Sequence, residues 1–396
     1  MSTTAPPQPP QPIDLLAGDF YGEPARRAYA WMRAHSPVHH DDVNDLWGVA
    51  TYAGVLAVGR DPGTFSNAGG TRPDTGPLPW MIDMDAPDHL KRRKLVNRGF
   101  TPGRVRATEP HLVELCDDLI DRVQAAGECD VVRDLAAPLP VIVIGDMLGM
   151  PAEDRPQLLE WSDALIGSLG GTPEAMDAAA TAYIAFDAYA RDMIAARRRE
   201  PTDDLVSVFV HAEVDGDHLD DGEIVYETLL LLVGGDESTR HVISGGFEAL
   251  LRHPDERRKI IDEPGLLPCA VEEMLRWVSP VKNMTRTVTR DTELEGQDLP
   301  EGAKLLLLYE SADYDEAQFD NPERFDVERT PNDHLAFGFG PHFCLGASLA
   351  RLEIQTMVGR VLSRLPDMQL ADQAADPDAL PRHLGALTSL PVTFDA

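Results

Sequence analysis

The sequence predicts a mainly α-helical fold with a minor antiparallel β subdomain packed to one side. Three observations carry that expectation. Helical periodicity runs through most of the chain, one helix is exceptionally long, and strand character is confined to a few short pieces.

Taken in order, the opening "MSTTAPPQPPQP" is too proline-rich for a fixed structure, so 1–12 reads as a flexible tail and 13–396 as a single domain. "MDAPDHLKRRKLVNRGF" places His89 and Arg93 at i and i+4 of one helix. Residues Met176 to Arg199 set Ala182, Phe186, Tyr189 and Met193 on one face, and the closing "RRRE" before Pro201 reads as a solvated helix end complementing the dipole. Asp220 as N-cap and Glu223 three residues later form a capping box, and helical pattern continues to about His253, a rod of about 50 Å. In its middle, Gly234 and Gly235 each cost about 1 kcal/mol relative to alanine, so something must gain from the missing side chains.

"VEEMLRWVSP" puts Glu273 and Arg276 at i and i+3, a spacing that allows a fork-like ion pair among apolar neighbours. Strands are expected in "MTRTVTRDTEL", "AKLLLLYES" and "LTSLPVTF", the first two separated by the turn-rich "EGQDLPEG". In "AFGFGPHFCLGASLARLE", Gly338 and Gly340 permit close backbone approaches and Pro341 fixes the chain before His342. Leu345, Leu349 and Leu352 then follow the i, i+4, i+7 rule, which starts a helix at Cys344.

The formal charge of −32 opposes nucleic acid and anionic membrane as partners. Four scattered cysteines (Cys116, Cys129, Cys269, Cys344) with no CxxC exclude a zinc or disulfide framework and fit a reducing cytoplasm. With neither a signal peptide nor an apolar run near 20 residues, a cytoplasmic protein without a membrane anchor is expected. Its substrate is expected to be a neutral or apolar small molecule.

Peptide N–H groups at a helix start favour the thiolate, the form of Cys344 that binds metals. The whole phrase "FGFGPHFCLG" resembles the haem-binding signature of the cytochrome P-450 superfamily. That resemblance implies a triangular helical prism around a buried haem b, with Cys344 as axial thiolate. It implies that Phe337 packs beside the thiolate, that His342 contacts a haem propionate, and that Gly346 lets the helix pass close to the porphyrin. His89 and Arg93 match the family's His-x-x-x-Arg, and Arg286 matches its strand arginine, giving with His342 four propionate donors. Glu273 and Arg276 match its Glu-x-x-Arg, with Arg324 in "NPERF" as the third member of a structural triad. In "VGGDEST", Gly234 and Gly235 align with the residues that leave room for O2, Glu237 with the family's acid and Ser238 with its alcohol. Serine stands where threonine is commoner, and Thr239 follows it. An acid and a hydroxyl in an apolar pocket can relay protons.

Longer phrases, "FSNAGGTRPDTGPLPWMIDMDAPDHLKRRKLVN", "GGDESTRHVISGG" and "EEMLRWVSPVKNMTR", are similar to actinobacterial and especially mycobacterial sterol side-chain hydroxylases. These oxidise a terminal methyl of cholesterol or cholest-4-en-3-one, so the resemblance implies a steroid C26/C27 monooxygenase consuming O2 and two electrons. Leu78, Trp80, Met81, Ile82, Val281 and Met284 are the expected lining of an apolar slot for the sterol tail. The chain has no GxGxxG with suitable flanks. Electrons are therefore expected from NAD(P)H through a flavin-dependent ferredoxin reductase and a ferredoxin, docking at a basic patch of Arg104, Arg106 and Arg351. The alternatives are a monooxygenase for another apolar molecule (terpenoid, fatty acid, polyketide) and a haem-thiolate gas sensor, which would need neither Glu237 nor Ser238.

Overall fold

A computed structural model describes residue 9 and residues 12–396 except 74, 168–171, 214–215, 375 and 377–379. Most of the expected proline-rich tail and the end of "WSDALIGSLGG" lie outside the described residues.

The helices in chain order are α1 (Glu23–His35), α2 (Tyr52–Arg60), α3 (Asp88–Val96), α4 (Pro102–Ala107), α5 (Glu109–Gln124), α6 (Pro138–Leu148) and α7 (Arg155–Gly167). Then follow α8 (Pro173–Arg199), α9 (Leu205–His211), α10 (Asp221–Arg252), α11 (Pro254–Asp262), α12 (Leu267–Val278), α13 (Tyr309–Asp313) and α14 (Ala347–Arg364). Their starts are written locally. Thr51, Thr101, Thr172 and Asp204 each accept a backbone N–H as N-cap, and proline occupies the first turn of α4, α5, α6, α8, α11 and α12.

The long helix, α10, is the axis of the helical part. Its capping box is complete: Asp220 Oδ1 accepts from the Glu223 amide at 2.8 Å, and Glu223 Oε2 accepts from the Asp220 amide at 2.9 Å. Apolar residues on several of its sides, among them Ile224, Val225, Leu232, Ile243, Phe247 and Leu250, are buried, and it packs on α6, α7, α8, α12 and α14. Close crossing demands a missing side chain at Gly246, where a Cβ would lie 1.9 Å from Met274 Cε of α12. On α8, Ala182 and Phe186 are buried, while Tyr189 and Met193 pack against the same core. Of the arginines that end α8, Arg198 and Arg199 are exposed as expected, while Arg197 is largely enclosed. Arg197 pairs with Asp204 and donates to the Gly149 carbonyl, and Arg198 pairs with Asp221, so they tie α8 to the starts of α9 and α10.

The strands are β1 (Val38–Asp41), β2 (Leu46–Val49), β3 (Phe65–Ser66), β4 (Glu128–Asp130), β5 (Asn283–Val288), β6 (Thr292–Leu294), β7 (Gln297–Leu299) and β8 (Lys304–Leu308), with β9 (Gln369–Leu370), β10 (Arg382–His383), β11 (Ala386–Leu387) and β12 (Pro391–Thr393) near the C-terminus. The main sheet runs β1-β2-β8-β5-β3. It is mixed, not purely antiparallel, because β2 pairs in parallel with β8. Strand β8 shows why it sits at the centre: Leu305 and Leu307 belong to one apolar cluster, and Leu306 and Leu308 to another on the opposite face. Two expectations shift. The "turn-rich" stretch contains β7, paired with β6, and "YES" begins α13 instead of extending β8. Strands β1 and β2 gave no strand signal because "VHHD" carries a polar pair and an acid where apolar alternation is sought.

Glu273 and Arg276 are fully buried and joined by two parallel bonds of 2.8 Å, so this pair is part of the interior. The third member is Arg329, not Arg324. Arg329 Nε donates to Glu273 Oε2 at 3.0 Å and its Nη groups donate to the carbonyls of Asp320 and Arg324. Arg324 is 63 % exposed and lies 3.8 Å from Glu256. The reason is a turn: the Arg324 amide bonds back to the Asn321 carbonyl, which points its side chain outward, and the chain returns to the helix five residues later.

Replacing Arg329 with alanine removes one of the two cations on Glu273, Arg276 remaining, and is expected to lower stability by about 1.5–3 kcal/mol, whereas Arg324→Ala should change it by less than about 0.5 kcal/mol. Urea unfolding of both variants checks this; equal losses would restore Arg324 to the triad.

Candidate functional site

Cys344 sits where a tight loop feeds α14. Gly340 has φ +76, and a Cβ there would fall 2.1 Å from the Gly59 carbonyl oxygen, so the loop can pass beside α2 only as glycine. The Cys344 amide donates to the Phe337 carbonyl at 2.9 Å, which folds the loop back on itself. The amides of Gly346 and Ala347 donate to the sulfur. Burial nonetheless dominates and holds the thiol above its usual pKa range, with those amides, Arg93 and Arg351 pulling the other way. A metal would have to displace that proton on binding. Phe337 is half-buried beside the cysteine and carries the Arg351 guanidinium over its ring at 4.5 Å. A Cβ on Gly346 would meet nothing within 4 Å, so the start of α14 leaves open space at that side.

Four donors converge near this thiol from three parts of the chain. Helix α3 brings His89 and Arg93, strand β5 brings Arg286, and the cysteine loop brings His342. The two imidazoles stack with centroids 3.9 Å apart, and Arg93 donates to the Phe343 carbonyl at 2.5 Å. Burial, then the neighbouring His89, Arg286 and Arg93, push His342 down to about 3. Burial and Arg93 push His89 down to about 4, and its buried Nε2 has no hydrogen-bond partner. Two arginines beside two neutral imidazoles, with one imidazole nitrogen unanswered, fit a bound group that carries carboxylates. The haem implied by the cysteine phrase passes that test.

On α10, Ser238 Oγ donates to the Gly234 carbonyl at 3.0 Å across one turn. The two glycines separate in role. A Cβ on Gly234 would meet nothing within 4 Å, whereas one on Gly235 would press on Ile144 of α6 at 3.0 Å. Gly234 alone therefore borders open space, and Gly235 serves helix packing. Glu237 is half-buried; burial raises its pKa, opposed by Arg72 and reinforced by Asp236. Thr239 is buried about 100° around the helix from Ser238, apart from the acid and alcohol.

The expected sterol contacts divide. Trp80 and Ile82 are half-buried, Val281 and Met284 are half-buried against the sheet cluster, Leu78 is exposed, and Met81 belongs to the main core. Met81 therefore contributes packing, because its side chain is already enclosed. Among the basic candidates, Arg351 makes two 2.7 Å bonds to Glu272 and Arg104 pairs with Asp203 at 2.9 Å, so only Arg106 stays exposed without an ion pair among the described residues.

Three buried acids were not anticipated. Asp236 accepts from Ser162 Oγ at 2.6 Å and from Arg240 at 2.7 Å, and Arg240 also pairs with Asp163, which ties α7 to α10. Glu353 of α14 is pushed up to about 8 by burial and by Asp236. Glu227 is pushed up to about 7 by burial, against Arg92 and the Met81 amide. Their signal was available: Glu353 falls four residues from both Leu349 and Met357, on a face that must be apolar.

A family model described as "Cytochrome P450" matches residues 80–394. A Mycobacterium tuberculosis protein named "Steroid C26-monooxygenase" is 55 % identical over 96 % of this chain and 97 % of its own length. One of the same name from Mycolicibacterium smegmatis is 51 % identical over 96 % of each. The crystal structure of CYP109E1 from Bacillus megaterium in complex with testosterone superposes with a TM-score of 0.85 at 34 % identity, covering 93 % of this chain and 98 % of that one.

The raised pKa of Glu353 has a definite sign. Between the unfolded value near 4.3 and the folded value of about 8, the folded state binds more protons. Stability from this group is therefore complete below about pH 4 and lost as pH rises to 8, by at most about 1.4 kcal/mol per pH unit. Glu353→Gln should remove that slope, so the variant gains on the wild type from pH 5 to pH 8 in urea unfolding. A difference that does not change with pH would overturn the assignment.

Proposed function

The chain belongs to the cytochrome P450 family, and on that premise we propose that it hydroxylates the terminal methyl of a steroid side chain, with cholest-4-en-3-one as its substrate class. Cytochromes P450 use haem and O2. The observation that carries the substrate is the likeness, over nearly the whole of both chains, to proteins named steroid C26-monooxygenase. We read 13–396 as one catalytic unit working in the cytoplasm; among the described residues, no helix is long and apolar enough to cross a membrane.

In this reading the cofactor is haem b, with Cys344 as its iron ligand and His89, Arg93, Arg286 and His342 as donors to its two carboxylates. When bound, haem supplies the iron at which O2 is activated, one oxygen atom passing to the substrate and the other to water. The rest is done by the chain. Glu237, its pKa raised by burial, retains a proton at neutral pH more readily than an exposed glutamate. Ser238 Oγ, held to the Gly234 carbonyl, is the hydroxyl through which that proton passes toward the pocket. Serine lacks the methyl that restricts threonine, so its hydroxyl depends more on this one hydrogen bond for orientation. A gas sensor would have no use for such an acid and alcohol on the pocket side of α10. Electrons come from NAD(P)H through a flavin reductase and a ferredoxin. Arg106, exposed beside α14, is the cation best placed for an acidic partner because Arg104 and Arg351 are already paired.

Purified protein should give the thiolate-type reduced carbonyl spectrum and a ferric spin-state shift with cholest-4-en-3-one, and with a ferredoxin system should yield the terminal alcohol. A shift with terpenes or fatty acids but with no steroid would overturn the substrate. Cys344→Ala should abolish the spectrum. Ser238→Ala and Glu237→Gln should keep it while lowering product formation on the order of 10²-fold, measured as alcohol formed per NAD(P)H consumed.

A further inference from the structure

Glu227 on α10 takes no part in the steps above, yet it is completely buried. Its Oε1 accepts from the Met81 amide at 2.8 Å and from Arg92 Nη1 at 3.0 Å, while its Oε2 has no partner. Arg92 also pairs with Glu223, one turn earlier on the same helix. Seven and eleven residues separate Glu227 from Gly234 and Ser238, so all three share one stripe of α10, with about 10 Å of helix axis between the acid and Gly234.

A second carboxylate shapes the segment that Glu227 holds. Asp83 Oδ1 accepts from the amide and hydroxyl of Thr71 at 2.9 and 2.6 Å. Its Oδ2 accepts from the Leu78 amide at 2.9 Å and from the Trp80 indole at 2.7 Å. One side chain thus gathers both ends of 71–80 and orients the Trp80 ring. Asn67 Nδ2 adds a bond of 2.9 Å to the Ile82 carbonyl. Attaching a loop to a helix does not require interior charge, since apolar groups of equal volume hold as well and avoid desolvation. Directed hydrogen bonds add what apolar contact lacks, a fixed position along the helix.

We infer that Glu227 and Asp83 are positioning residues that set the wall formed by Trp80 and Ile82 relative to Ser238, and thereby select the terminal carbon of the substrate over its neighbours. The inference rests on the terminal-hydroxylation reading. One carbon of slack between wall and oxidant moves the reaction inward along the chain, and Glu227 and Asp83 remove that slack.

The test is the product distribution of the haem-loaded enzyme with cholest-4-en-3-one. Glu227→Leu combined with Arg92→Met removes the acid and its cation together, so no buried charge is stranded. This double variant should keep the carbonyl spectrum, lose terminal alcohol roughly 10- to 100-fold, and form alcohols at interior side-chain carbons. Glu227→Gln, which keeps an acceptor for the Met81 amide, should retain most of the terminal product. Asp83→Asn, which keeps the α10 attachment, should scatter the products as the double variant does, and decides the matter if the double variant fails to fold. Wild-type product ratios in either of these, or a Glu227→Gln as scattered as Glu227→Leu/Arg92→Met, would overturn the inference. A wild type that makes no terminal alcohol from any steroid would instead overturn the functional reading.

Discussion

A helix of 32 residues crossing the middle of a protein has little solvent to face, so the polar side chains it buries need partners from inside. That constraint on α10 organises the rest. Glu227 is answered by Arg92 and the Met81 amide, Asp236 by Ser162 and Arg240, and Ser238 by the carbonyl of Gly234. Each answer recruits a different neighbour: α3 with the segment before it, helix α7, and the turn of α10 itself. Its apolar residues meanwhile bind α6, α12 and α14 through ordinary packing. The helix is therefore both the core of the fold and the frame on which the pocket is hung.

The opposite wall obeys a different rule. Near Cys344 the chain concentrates His89, Arg93, Arg286 and His342, and burial, reinforced by neighbouring basic groups, lowers the proton affinity of the two imidazoles. Burying such a set without counter-charge is costly. A group carrying carboxylates would relieve that cost, which is the ground on which haem binding by these residues is proposed. The Glu273–Arg276–Arg329 cluster solves its charge balance within the chain, with bidentate geometry and with the amide of Asp326 also on the carboxylate.

What could be read from the sequence follows from the range of the interactions involved. The capping box of α10, the face of α8 and the helix after Cys344 are local, and their patterns appear within a few residues. The cysteine phrase and the acid-alcohol pair were legible for the same reason. The sequence offers Arg324, but linear proximity to a motif says nothing about which way a turn points a side chain, and it is Arg329 that reaches Glu273. The two adjacent glycines looked alike, and only the position of Ile144 on α6 distinguishes them. Strands β1 and β2 depend on a partner, β8, that no local pattern could announce. Asp236, Glu227 and Glu353 stand in the sequence as acids on apolar helix faces, but Ser162 and Arg92, which answer the first two, come from other helices.

The parallel pairing of β2 with β8 also bears on how the molecule is made. Trp47 lies opposite Leu305 and Val49 opposite Leu307, residues from near the start of the chain and from three-quarters of the way along it. During synthesis β1 and β2 leave the ribosome long before β8 exists, so they pair only with each other and the second edge of β2 waits open while the helices between them assemble. Polar positions such as His39 and His40 in β1, each half-exposed, then shield an edge that would otherwise attract other strands. Because β5 lies on the far side of β8 in the same sheet, Arg286 is fixed in place only after that late closure.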